Sequence, residues 1–262
     1  MVAEALVEDL QKNPPTVLVN SGDFTQRARE AQYRSAAAYI RRLPSPQINV
    51  PGNHDIPLYD IFRRFFSPLD RFRRWISDDP FPTYRDEGLL VIGINTARSL
   101  TWKSGRISEE QIGELDRRLS EVPESVHKVI VTHHPFLPPP GEQGTGVNLV
   151  GRAEMSLEVL ERYRVDLLLA GHLHHGYTGD VRSHYPSSKH AIIVAQAGTA
   201  ISNRIRHEPN GYNVITLNED RMCITVRYWN GTSFKAGEQT VYLKKRGLWT
   251  PDPASVADSS SQ

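Results

Sequence analysis

Four short stretches of this chain share one layout: a run of apolar residues, then a tight turn carrying a side chain able to bind a metal. They are Val17-Leu-Val-Asn-Ser-Gly-Asp23, Ile48-Asn-Val-Pro-Gly-Asn-His-Asp55, Val129-Ile-Val-Thr-His-His134 and Leu167-Leu-Leu-Ala-Gly-His-Leu-His174. A short apolar run bounded by glycine, proline or polar turn residues reads as a buried strand. In open α/β sheets, ligands bind beyond the carboxyl ends of the strands. Four such turns therefore converge on one edge and gather Asp23, Asn53, His54, His133, His172 and His174. A carboxylate, an amide oxygen and several imidazoles make a mixed nitrogen and oxygen donor set. It suits Mn, Fe or Zn better than Mg or Ca, which prefer oxygen alone.

The segments between these runs read as helices. Residues 2–12 repeat apolar positions with a helical period until Pro14-Pro15 stops them. Residues 26–42 and 153–164 suit helices, and residues 58–77 suit two, the second opened by Ser67-Pro68. Tyr84 to Asn95 holds one or two strands. Ser108-Glu-Glu-Gln111 is a capping box that opens a helix to about Leu119. Beyond residue 190 the texture turns to strands at 191–196, 211–217, 223–229 and 240–243, with Asn230-Gly231 as a hairpin turn. Strands alternating with helices and followed by a β-rich run predict one α/β domain over residues 1–245, its β-rich part at about 190–245. Residues 246–262, rich in Ser and Asp toward the end, are expected to be a disordered tail.

Charge and cysteine usage narrow the class. Lys plus Arg number 31 and Asp plus Glu 30, so no global field draws the chain to nucleic acid or acidic lipid. A local basic patch is compatible with that balance. The lone Cys223 allows no internal disulfide, which fits a reducing compartment. The longest apolar runs, such as Val165 to Ala170, are too short to span a bilayer, and Glu4, Glu8 and Asp9 stand where a secretion signal needs a basic start. These features predict a soluble cytoplasmic protein without a transmembrane segment and without a nucleic-acid partner.

Gly-Asp, Gly-Asn-His-Asp, His-His and Gly-His-x-His, in that order and each at a strand end, resemble the calcineurin-like metallophosphoesterases over roughly residues 1–200. The resemblance implies an α/β/β/α sandwich: two packed mixed β-sheets flanked by helices. It implies two divalent transition-metal ions (Mn, Fe or Zn) between the sheets. Asp23 would bridge both, Asn53, His133 and His172 would hold the second, and His174 the first. His54 would stand over the phosphate as proton donor or charge stabiliser. Asp55 would orient a neighbour or cap its turn. The implied reaction is hydrolysis of a phosphodiester by a metal-activated water. The substrate would be a small phosphodiester, a nucleotide or a lipid phosphate.

One motif departs from the family. Its pattern opens with Asp-x-His at the end of a first strand, where both residues bind the first metal. No Asp-x-His precedes Asp23 here, so the first strand is missing from the pattern. The first metal keeps only Asp23 and His174, and His134 or His175 are the stand-ins at hand. The intact pattern downstream favours a start lying further upstream. The alternative is a one-metal, catalytically impaired or inactive scaffold on the same fold.

Residues 58–76 interleave Leu58, Ile61, Phe62, Phe65, Phe66, Leu69, Phe72, Trp75 and Ile76 with Arg63, Arg64, Arg71, Arg73 and Arg74. The expectation is a helix pair with its apolar side on the core and its arginines in solvent, with a phosphate-gripping lid as the alternative. Arg204 and Arg206 are further candidates for a phosphate contact. His127, His184, His190 and His207 read as structural or surface histidines.

Overall fold

The computed structural model describes residues 1–142, 146–202 and 208–256. In chain order the helices are α1 (Val2–Lys12), α2 (Glu30–Ile40), α3 (Ile61–Phe66), α4 (Asp70–Trp75), α5 (Glu109–Ser120), α6 (Ala153–Arg162) and α7 (Pro253–Val256). The strands are β1 (Leu18–Asn20), β2 (Gln47–Asn49), β3 (Thr83–Arg85), β4 (Leu89–Gly93), β5 (His127–Val131), β6 (Leu167–Ala170), β7 (Tyr177–Asp180) and β8 (Ile193–Gln196). Four longer or later strands follow: β9 (Gly211–Leu217), β10 (Arg221–Trp229), β11 (Phe234–Lys245) and β12 (Leu248–Pro251).

Six strands form one sheet in the order β3-β4-β5-β6-β8-β7, with β4, β5, β6 and β8 parallel. Its centre reads as continuous apolar runs because both faces are covered. On one face, Ile92, Ile130, Leu168 and Val194 pack against Ile112, Leu115 and Leu119 of α5 and Leu157 and Leu160 of α6. On the other, Val91, Val129, Leu167 and Ile193 meet Ile48 of β2 and Met222, Ile224, Tyr242 and Trp249 of the C-terminal strands. Those strands form a second sheet, β12-β11-β10-β9, beside a two-stranded parallel pair, β1-β2. Leu6, Val7 and Leu10 of α1 and Ile40 of α2 cover the outer side, next to Phe234. The result is the expected helix, sheet, sheet, helix order.

Among the described residues, β1 pairs only with β2 and β9 only with β10. Both border one groove of about 2600 Å³, whose lining also includes Asp23, His54, His133, His172 and His174. No helix among the described residues is long and apolar enough to cross a membrane.

Two expectations need correction. Ordered structure runs past residue 245: β12 pairs with β11, and Trp249 is completely buried in the tail segment. Residues 257–262 of that segment lie outside the described residues. The second correction concerns α3, where the arrangement is inverted. Arg64 is 4% exposed, whereas Phe62 and Phe66 are 71% and 76% exposed. Arg64 is buried because three carbonyls receive it: those of Pro57 at 3.0 Å, Ser99 at 2.7 Å and Thr101 at 2.6 Å. α4 follows expectation, with Phe72 in the core and Arg73 and Arg74 in solvent.

Candidate metal centre

Each ligand-type residue lies where its strand ends. Asp23 follows β1, Asn53 and His54 follow β2, His133 follows β5, and His172 and His174 follow β6. The turns are tight enough to require unusual backbone. Asp23, His172 and His174 adopt φ of 61°, 76° and 58°, and Gly22 sits at 103°. Non-glycine residues pay about 1–3 kcal/mol for such conformations, which cluster at functional sites.

Four donor atoms converge. Asn53 Oδ1 lies 3.0 Å from His133 Nε2 and 3.0 Å from His172 Nδ1. Those two nitrogens are 3.2 Å apart, and Asp23 Oδ1 is 3.5 Å from His133 Nε2. His133 Nδ1 donates to the Ser21 carbonyl at 2.7 Å, which leaves the Nε2 lone pair facing the other donors. That is the usual way a second partner fixes a metal-ligand imidazole. Burial and then the neighbouring His133 push His172 down to about 4, so its ring stays neutral, the form that binds metal. An amide oxygen and two imidazole nitrogens within 3.0–3.2 Å of one another, with a carboxylate oxygen 3.5 Å from one of them, make a donor set that fits a divalent transition metal.

His54 and His174 border the same centre, near enough to His172 for their charges to act on it. The His54 backbone N–H donates to Asp23 Oδ1 at 3.0 Å, and its Nδ1 donates to the Gln26 carbonyl at 3.0 Å. His174 Nδ1 is hydrogen-bonded to the Thr199 hydroxyl at 2.8 Å. All six residues named from the sequence thus border one site, with Asn53, His133 and His172 in mutual contact and Asp23 beside His133.

Asp55 caps and ties the turns. Its carboxylate accepts the backbone N–H groups of Gly52, Phe24 and Thr25 at 2.9, 3.2 and 2.9 Å. Burial and the Asp23 charge push its carboxyl up, against the pull of those three donors. Of the two stand-in histidines, His175 is engaged by Glu208 at 2.5 Å. His134 is fully buried and offers a ring nitrogen within 4.8 Å of those of His133 and His172. Its Nδ1 is bonded to the Thr96 hydroxyl at 2.8 Å. Arg204, Arg206 and His207 lie outside the described residues.

The partners missed from sequence are Ser21, Gln26, Thr96 and Thr199. The first two act through backbone carbonyls, which leave no mark in a sequence. Thr199 adjoins Gly198 in a turn, a signal that could have been used.

Comparison with known proteins places the chain among its relatives. A probable cyclic nucleotide phosphodiesterase of Synechococcus is 25% identical over 178 residues, 67% of this chain and 64% of its own. A probable glycerophosphodiester phosphodiesterase of Arcobacter nitrofigilis is 29% identical over 62% of this chain and 58% of its own. The 3',5'-cyclic adenosine monophosphate phosphodiesterase of Escherichia coli is 27% identical over 60% and 54%. The chain thus spans little more than half to two-thirds of these relatives' lengths. Among solved structures, a purple acid phosphatase from yellow lupin seeds superposes with a TM-score of 0.63 at 13% identity, over 92% of this chain and 48% of its own, a likeness of fold. The calcineurin-like phosphoesterase family model matches residues 2–176. The chain belongs to the calcineurin-like phosphoesterase family.

Proposed function

We propose that this chain hydrolyses phosphodiesters in a metal-dependent reaction centred on Asp23, Asn53, His133 and His172. The approach of Asn53, His133 and His172 donor atoms to within 3.0–3.2 Å of one another, with Asp23 3.5 Å from His133, carries the reading. The names of the three relatives, all phosphodiesterases, support a small diester as the substrate. These residues would hold a divalent Mn, Fe or Zn ion, which would supply positive charge to a phosphoryl oxygen and lower the pKa of a bound water toward 7.

The chain's own groups do the positioning. The Ser21 carbonyl holds the His133 proton on Nδ1, keeping Nε2 for the ion. Asp23 acts twice, as donor to the ion and as acceptor of the His54 N–H, so the loop bearing His54 is tied to the centre. The Gln26 carbonyl holds the His54 proton at Nδ1, and Nε2 is the atom that carries a proton to the leaving alkoxide. His174, steadied by Thr199, offers together with Asp23 a second metal position beside the first. Two ions are proposed, the second on Asp23 and His174.

The test is Mn²⁺-dependent hydrolysis of bis(p-nitrophenyl) phosphate, read beside calorimetric Mn²⁺ binding. Asn53→Ala should lower both by about a hundredfold or more. His54→Ala should lower kcat by roughly 10²–10⁴-fold while Mn²⁺ still binds. A folded chain that binds Mn²⁺ and hydrolyses no diester would assign the fold to a scaffold role instead.

A further inference from the structure

The inverted face of α3 stands beside the candidate centre. Tyr59, Phe62, Phe65 and Phe66 are exposed by 70%, 71%, 51% and 76%. Leu100 and Trp102, on the loop after β4, are exposed by 80% and 62%. Arg64 clamps the two segments together, because its carbonyl partners at Ser99 and Thr101 flank Leu100 and its guanidinium lies 5.4 Å from the Trp102 ring. The Phe62 and Phe66 rings stack at 4.7 Å and cover each other rather than the core. The Asn53 amide donates to the Trp102 carbonyl at 3.2 Å, which fixes this apolar platform to the metal-ligand turn. Scattered exposed apolar residues need no explanation, but these six together with Ile61, seven large ones on two clamped segments, do.

The cations around the platform indicate what it meets. Of the five arginines in residues 58–76, Arg64 is buried on carbonyls, Arg63 pairs with Asp60, Arg71 with Glu30 and Arg74 with Asp70 at 3.5 Å, so the surplus of positive charge rests on exposed groups. Arg73 and Arg74 of α4 face solvent, as do Lys103 next to Trp102 and Arg27, whose guanidinium lies 5.8 Å from the Tyr59 ring. A second copy of the chain docking here by two-fold symmetry would bring these like charges together. An anionic surface would gain from them, and aromatic rings backed by arginines are the composition that settles at the headgroup level of a bilayer.

We propose that α3 and the loop carrying Leu100 and Trp102 dock on an anionic lipid bilayer. The rings insert at the headgroup boundary, Arg73, Arg74 and Lys103 meet lipid phosphates, and the Asn53 turn comes to rest at the membrane surface. The docking stands on this platform and not on the hydrolytic reading, which the soluble diester assay tests separately.

Flotation of the full chain with phosphatidylcholine vesicles, with and without phosphatidylglycerol, tests the proposal. The native chain should float with the anionic vesicles and stay in solution with the neutral ones. Phe62→Ser combined with Phe66→Ser should weaken partitioning by roughly tenfold or more. It should leave the far-ultraviolet circular dichroism and bis(p-nitrophenyl) phosphate hydrolysis unchanged, since both rings already face solvent. Arg73→Glu with Arg74→Glu should weaken partitioning and flatten its salt dependence. A native chain that stays in solution with anionic vesicles overturns the proposal, and so does a double-serine variant that floats as well as the native chain. A dimer that forms in sedimentation and is lost in the double-serine variant would assign the face to a second copy instead.

Discussion

A carbon atom absent at residue 52 sets how closely two loops approach. A Cβ on Gly52 would lie 2.1 Å from Asp23 Oδ1 and 2.4 Å from the Asp23 nitrogen, contacts that real structures do not contain. Gly52→Ala must therefore push the Asn53 turn away from Asp23. Urea unfolding should show a loss of about 2 kcal/mol or more, and Mn²⁺ affinity should fall at least tenfold. Gly113, in the middle of α5, is the opposite case. Nothing lies within 4 Å of its Cβ position, so Gly113→Ala should raise stability by about 0.5–1 kcal/mol, and an unchanged urea midpoint would contradict that. At this scale the donors were legible in the sequence, because Gly-Asn-His-Asp and Gly-His-x-His bring small residues and ligands together. The roles of Ser21 and Gln26 were not, since any residue can supply a carbonyl. Asp55 was read with two roles open, and its three N–H partners settle it as the bridge between turns.

Between elements, Asp166 makes the most connected polar knot of the sheet. It is 2% exposed and accepts from Lys128 N at 3.0 Å on β5, Lys244 Nζ at 3.0 Å on β11 and Trp249 Nε1 at 2.8 Å on β12. Burial alone would raise its carboxyl, but His127, Lys244 and the Lys128 N–H overcome that and hold it well below the usual carboxylate range. A depressed folded value means the group adds stability above its unfolded pKa of about 3.9 and loses it as pH falls further. Asp166→Ala should cost about 3 kcal/mol near pH 7, because Trp249 and Lys244 lose their acceptor. The gap between the urea midpoints of native and variant should narrow as pH drops from about 5 to about 2. A gap constant with pH would show that Asp166 is not held ionised. The packed helices and parallel strands around this knot were readable from apolar period and capping, as Ser108 and Gln111 at the start of α5 illustrate. The edge strand β7, Tyr-Thr-Gly-Asp, was not, because a half-buried edge carries no alternation and its glycine reads as a turn. α3 defeated periodicity in another way. A helical period reports two faces and does not say which one is covered, and here the nearby Pro57 carbonyl and two from the distant loop, Ser99 and Thr101, drew Arg64 inward.

For the molecule as a whole, the two-stranded β1-β2 pair is the smallest of the three sheets. It is joined through three residue pairs, and the outer edge of β1 borders the open groove. Backbone amides of residues 18–20 should exchange with solvent markedly faster than those of β5 and β6, which lie inside the six-stranded sheet. Equal protection would show that the layers open only together. The donors of the candidate centre bear on this directly. Asp23 and Asn53 are carried by the β1-β2 layer, whereas His133 and His172 are carried by the six-stranded sheet. If the proposed ion were shared by all four, it would act as a rivet across the seam between layers, and its grip would count only in chains where the layers have already closed. At a metal concentration a hundred times its dissociation constant, that linkage is worth about 2.7 kcal/mol. Metal occupancy would then act as an inspector of assembly, passing chains whose two layers meet in register and leaving misdocked ones empty and open to proteolysis.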